Sequence, residues 1–210
     1  MNDLIILVTV FAVFIPALML PGPDFVAIVR SSMTYGTRAG LITTVGVSAG
    51  LCLYATLSIL GLSAILVEYQ WLTWAVRVVG GSYLIYLGVK LMLSRPQKIN
   101  IETAEQPTRG KALRFGFFVT LTNPKAIVLF ASVFATAITP TTPHWVMLAM
   151  IALVTLSSLI WYSLVSLFMS SAPVMRRFEN AKHRIEKAAG VCFIGLGGKV
   201  IADARNPITN

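Results

Sequence analysis

The sequence predicts an all-α integral membrane protein of six transmembrane helices, built as two inverted three-helix repeats whose first helices are broken. Composition is the first reason. Of 210 residues, 56% are hydrophobic and only 12% charged, and the mean hydropathy is +0.78, outside the range of a soluble domain of this length. The second reason is where charge is missing. The intervals between Asp3 and Asp24, between Arg38 and Glu68 and between Lys125 and Arg176 contain no Asp, Glu, Lys or Arg. Each holds one or more apolar stretches of the roughly 20 residues that a helix needs to cross a bilayer. The third reason is the polar stretch "SRPQKINIETAEQPTRGK", residues 94–111, which separates two halves of three spans each. Three is odd, so a second copy of such a half must lie upside down in the membrane.

The elements follow in order. Span one covers residues 4–30 and is interrupted at "LPGPDF". The chain opens Met-Asn-Asp rather than on a basic segment, so residues 4–20 are expected to stay as a span and not to be cleaved as a leader. Span two, 39–66, is set with glycines. Span three, 71–93, begins at Trp71 and Trp74 and ends near Lys90. Span four, 115–138, is interrupted at "LTNPKA", span five, 144–168, is continuous, and span six, 188–203, is short and glycine-rich. The chain is thus expected to form a single membrane domain, 1–210. Repeat one occupies about 1–93, a cytoplasmic linker about 94–114 and repeat two about 115–203.

Charge sets the orientation. The connections after spans one, three and five carry Arg30 and Arg38, then Lys90, Arg95, Lys98, Arg109, Lys111 and Arg114, then Arg176, Arg177, Lys182, Arg184 and Lys187, thirteen of the 17 Lys and Arg. By the positive-inside rule these connections are cytoplasmic, and six spans then place both termini outside. Trp71, Trp74 and Trp145 at the opposite ends fit an interfacial aromatic belt. The net charge of +9 is accounted for by these connections, so no nucleic-acid partner is expected.

Each break has the same chemistry. Proline lacks a backbone donor and clashes with the carbonyl four residues earlier, so Pro21 and Pro23 free the carbonyls of Ala17 and Met19, and Pro124 frees that of Thr120. In lipid a freed carbonyl needs another partner. An ionisable residue follows each break at once, Asp24 in the first and Lys125 in the second. A charge near the bilayer centre costs about 2.5–3.5 kcal/mol on insertion scales, which points to a function or a pairing. Pro21, Gly22, Pro23, Asp24, Asn123, Pro124 and Lys125 are therefore expected to form one binding site from two discontinuous helices. Amides at a helix restart together with Lys125 suit a carboxylate, and freed carbonyls with Asp24 suit an ammonium group. An amino acid carries both. Burial and the nearby lysine act on the Asp24 proton in opposite senses, which makes this carboxyl the candidate carrier of a coupling proton. The competing reading is that Asp24 and Lys125 only neutralise each other and pin the halves together.

Two stripes recur at helical spacing: Thr44, Ser48, Cys52 and Thr56 in span two, and Thr155, Ser158, Tyr162 and Ser166 in span five. Ser48, Thr155, Ser158 and Tyr162 are candidates for lining a pathway, against the alternative that hydroxyls bond their own helix backbone. The pairs Gly36/Gly40 and Gly46/Gly50, and Gly80, Gly81 and Gly88 in span three, are expected to allow close helix contact. Cys52 and Cys192 lie in apolar segments without CxxC spacing, and His144 and His183 fall in loops, so no metal and no cofactor is expected.

The segments "LPGPDFVAIVRSSMTYGTRAGLITTVGVSAG", "VVGGSYLIYLGVKLM" and "FGFFVTLTNPKAIVLFASVF" resemble, in order and spacing, the LysE/RhtB family of amino-acid exporters. The resemblance covers most of the chain and is nearest to the homoserine/threonine exporter branch. It implies a bacterial inner-membrane antiporter that expels small amino acids by the proton gradient, a homodimer set in membrane lipid, and a translocation site at the two motifs. Alternating access would come from rocking one three-span half against the other. Two other classes make different demands on the sequence. A membrane thiol–disulfide carrier would need Cys52 and Cys192 to meet in electropositive surroundings. A non-transporting scaffold would tolerate Asp24→Asn. No catalytic triad, metal-ligand set or phosphate cradle is present in the sequence, so the chain is not expected to be an enzyme.

Overall fold

The computed structural model describes residues 2–62, 69–93, 108–131, 137–138 and 142–168, and between 184 and 204 it describes 184, 186–188, 190–191, 193–195, 197–202 and 204. Among these residues there is no strand. Seven helices can be followed in order. Helix α1, Asn2–Met19, stops where Pro21 forbids continuation, and α2, Pro23–Tyr35, restarts with proline at its first position and Gly22 as the N-cap. The two axes differ by 44°. Gly36 separates α2 from α3, Thr37–Thr56, at φ 84°, a conformation that glycine alone adopts freely. A π-helical turn, Leu57–Leu62, extends α3. Helix α4 is Gln70–Met92. Helices α5, Arg109–Leu121, and α6, Pro124–Leu129, are the two sides of the second break, and α7, His144–Phe168, is continuous. The described residues from 184 to 202 are helical throughout.

Both expected breaks occur. Span four starts earlier than the sequence predicts, because α5 already includes Arg109, Lys111 and Arg114 of the expected linker. Long basic side chains are good helix formers, and their stems cover apolar surface while the charge stays in water. Cys192, His183 and linker residues 94–107 lie outside the described residues.

Two described helices are long and apolar enough to cross a membrane, Thr37–Gly61 and His144–Phe168, or three if the bent pair of α1 and α2 counts as one span. Burial supports a lipid environment. On α7, Leu148, Leu153, Leu156, Ile160, Leu164 and Leu167 are exposed, whereas Ser158, Tyr162 and Ser166 are buried. In water that arrangement would be inverted. In lipid it is expected, because exposed leucines cost nothing and hydroxyls find partners only inside.

Helix α3 lies at the centre, against α2, α5 and α7. It approaches α5 through glycines on both helices. A Cβ at Gly46 would overlap the Leu113 carbonyl, and one at Gly116 would overlap the Thr43 carbonyl. Without a hydrophobic force between helices in lipid, such close backbone contact is what holds them together. Helix α4 meets the C-terminal helical segment in the same way, with Gly81 against the Gly197 carbonyl and Gly88 against the Gly190 carbonyl. Phe14, Phe25 and Phe130 fill the core beside the two breaks, and the Tyr54 ring stacks on Phe130 with centroids 5.9 Å apart.

Candidate functional site

The two breaks, about a hundred residues apart in sequence, meet. Asp24 sits in the first turn of α2 and is 2% exposed. Its carboxyl group takes Oδ1 to the Thr120 hydroxyl at 3.0 Å and Oδ2 to the Asn123 amide nitrogen at 2.8 Å. Asn123 is the N-cap of α6, where its side-chain oxygen accepts the Lys125 backbone N–H at 3.1 Å. One side chain therefore caps the restarted helix and holds the acid of the other break. Having a donor on one end and an acceptor on the other, asparagine does both jobs, whereas aspartate at 123 would lack the donor.

Lys125 crosses in the opposite direction. Its ammonium group donates to the carbonyls of Ala17, at 2.9 Å, and Leu20, at 3.2 Å, at the end of α1. The Ala17 carbonyl is one that the proline at 21 frees. Asp24 and Lys125 thus take different hydrogen-bond partners: the acid is held by two side chains at the second break, and the lysine by two backbone carbonyls at the first. Gly22 borders the lysine, for a Cβ there would stand 3.1 Å from Nζ. Pro21 and Gly22 are half-buried, while Pro23 and Pro124 are exposed at the starts of their helices.

Two carbonyls at the second break also find partners. The Thr120 carbonyl accepts from the Asn123 N–H at 3.1 Å. The Leu121 carbonyl, which a continuous helix would bond to the residue 125 amide, accepts the Tyr54 hydroxyl at 2.7 Å. Tyr54 and the Thr120 side chain were not singled out from sequence. A tyrosine within an apolar run, whose hydroxyl must find a partner when buried, was the available signal for the first. A hydroxyl one turn before the Asn-Pro pair was the signal for the second.

The two polar stripes face each other across α3 and α7. Thr44 donates to the Tyr162 carbonyl at 3.2 Å, and Gly40 leaves room only for the Ser32 and Ser166 hydroxyls. Ser32 donates to Ser166 at 2.9 Å, and Ser166 donates to the Thr37 carbonyl at 3.1 Å. The antiparallel run of these contacts puts Ser48 level with Ser158. Ser48, 1% exposed, has a hydroxyl with no hydrogen-bond partner. Ser158 and half-buried Thr155 return their hydroxyls to carbonyls of their own helix, those of Thr155 and Ile151. Tyr162 is buried. Cys52 is a free thiol on α3. Among the described residues no group of His, Cys, Asp and Glu is arranged to hold a metal.

Long apolar helices with exposed leucines and buried hydroxyls, and two helix breaks whose charged side chains cross to one another, mark an integral membrane protein. The LysE type translocator family profile matches residues 15–204, and the chain belongs to that family. It is 29% identical over 201 residues to the threonine efflux protein of Escherichia coli (strain K12), covering 92% of this chain and 96% of that protein. The threonine efflux protein of Salmonella typhimurium is 28% identical over 193 residues, covering 90% of this chain and 94% of its own. An uncharacterized membrane protein of Escherichia coli (strain K12), YahN, is 29% identical over 182 residues, covering 84% and 79%. No solved structure matches the chain. The family places the chain among transporters rather than enzymes.

Proposed function

We propose that this protein exports small amino acids, threonine- or homoserine-like, from the bacterial cytoplasm by proton antiport. In this reading the chain forms six spans in two inverted repeats, with the basic connections cytoplasmic and both termini outside, and it works as a homodimer. One observation carries it: each broken helix supplies one charged residue, and both charges are held at the break of the other half. The similarity to threonine efflux proteins supports the substrate class.

In this structure the side chains of the site satisfy one another and the freed backbone. Lys125 occupies the freed carbonyls that suit an ammonium group, and the Thr120 and Asn123 donors occupy the carboxyl of Asp24. An arriving amino acid offers one carboxylate and one ammonium group, the same two kinds of charge. Its carboxylate takes Lys125 as partner, and its ammonium group replaces Lys125 on the carbonyls or turns to Asp24. Exchanging one set of paired charges for another avoids leaving a charge unpaired in lipid. A proton on Asp24 competes with that ammonium group, which couples export to proton movement. The hydroxyl seam between α3 and α7, with Ser48 unpartnered, lines the route that opens as the halves rock.

The test is transport of a labelled amino-acid mixture in vesicles of purified protein under an imposed pH gradient, with the carried species identified by mass spectrometry. The wild type is expected to move a few small amino acids, and Asp24→Asn is expected to lose the dependence on the gradient. If nothing moves, or if the variant equals the wild type, the reading is withdrawn.

A further inference from the structure

A second feature of the same helix pair lies away from the breaks. Helices α2 and α5 run antiparallel, with Asp24 beside Thr120 at one end. Toward the other end a cavity of about 230 Å³ opens between them, lined by Arg30, Ser31, Tyr35, Lys111, Ala112 and Phe115. Ser31 lies seven residues beyond Asp24 on α2, and Ala112 lies eight before Thr120 on α5, so at the helical rise the cavity is about 10–12 Å from the acid. The residues between, Ala27 and Ile28 on α2 and Gly116 on α5, are buried, so the passage is closed here.

The chemistry of the cavity is asymmetric. Two cationic side chains, half-buried Arg30 and exposed Lys111, face an otherwise mainly apolar lining. Among the described residues no carboxylate pairs with either. Two cations beside an apolar wall draw in anions, and the apolar surround strengthens that attraction. Tyr35 and Ser31 add hydroxyls, although Ser31 already accepts from Thr43 at 3.0 Å. The cavity is large enough for one amino acid and lies on the face of the basic connections.

We propose that this cavity is the vestibule of the exporter, where Arg30 and Lys111 capture the carboxylate of the amino acid before it moves along α2 and α5 to Asp24. The inference rests on the export reading. Arg30 and Lys111 have a different task from Lys125: they concentrate substrate at the mouth, whereas Lys125 holds it at the breaks.

The experiment is L-threonine transport in vesicles of one orientation, comparing wild type with the Arg30→Gln, Lys111→Gln double variant and with Arg30→Lys. Exposed charge pairs are each worth a factor of a few, so the half-saturation concentration from the basic side should rise about three- to tenfold in the double variant. From the opposite side it should rise less, and Arg30→Lys should retain most of the wild-type value. L-threoninamide, which lacks the carboxylate, should compete equally well against both proteins. A fold defect lowers the amount of active protein and hence the rate, not the ratio between the two sides. An unchanged ratio in a double variant that still transports overturns the vestibule alone. So does a shift that appears only when phosphatidylglycerol is added to phosphatidylcholine vesicles, since the cavity would then be a lipid headgroup site. A wild type that carries no amino acid overturns the export reading and this inference with it.

Discussion

Asn123 is the residue at which one substitution should damage both helix breaks at once. Changing it to alanine removes the donor 2.8 Å from Asp24 Oδ2 and leaves a buried carboxyl oxygen unsatisfied, at a cost of about 1–3 kcal/mol. It also removes the acceptor of the Lys125 N–H, and loss of such a cap costs typically about 1 kcal/mol. The sum expected for Asn123→Ala is roughly 2–4 kcal/mol. Asn123→Asp keeps a cap oxygen but sets a second carboxyl against Asp24, so it should cost more than the lost donor alone. Equilibrium unfolding in mixed detergent micelles, followed by tryptophan fluorescence, measures each variant. A double-mutant cycle with Asp24→Ala then isolates the bridge. With no carboxyl to serve, Asn123→Ala should cost only the cap, so the coupling should reach about 1–3 kcal/mol. Additivity within about 0.5 kcal/mol would refute the claim that this amide joins the two breaks.

Further outcomes follow from the same contacts. Tyr54→Phe keeps the ring stacked on Phe130 but strips the Leu121 carbonyl of its 2.7 Å partner, so stability should fall by about 1–3 kcal/mol, and unchanged unfolding would sink that role. Gly40→Ala drives a methyl into the Ser32 and Ser166 hydroxyls and should destabilise by about 1–3 kcal/mol, with partial recovery when Ser166→Gly is added; no recovery would mean that the clash lies elsewhere. Lys125→Met should abolish export even where the protein folds, because the carbonyls of Ala17 and Leu20 lose their donor and the substrate carboxylate loses its cation; vesicle transport decides it. The Cys52→Ser, Cys192→Ser double variant should transport normally, whereas a thiol carrier would be dead.

The sequence alone determined the features that depend on local chemistry. Membrane residence follows from apolar runs of spanning length, and the breaks at 20–22 and 122–123 follow from prolines that cannot donate and cannot pass the preceding turn. The charged residues after the breaks, and the need of the Ala17 carbonyl for a new partner, were equally legible because each is set by neighbours within one helical turn. Tertiary structure decided which partners answer those needs. Nothing in "NPKA" says that its lysine reaches α1, and the side chains of Thr120 and Asn123 stand 96 and 99 residues from the carboxyl they hold. Likewise the glycines announced close packing, but only the fold assigned Gly46 to Leu113, Gly116 to Thr43 and Gly88 to Gly190. The stripes of Thr44 and Tyr162 were visible as periodicity, and their facing one another was not. The physical reason is the same in each case. A helix, its ends and its unmet hydrogen bonds are local properties of the backbone, whereas the group that meets a bond is selected by how whole helices pack.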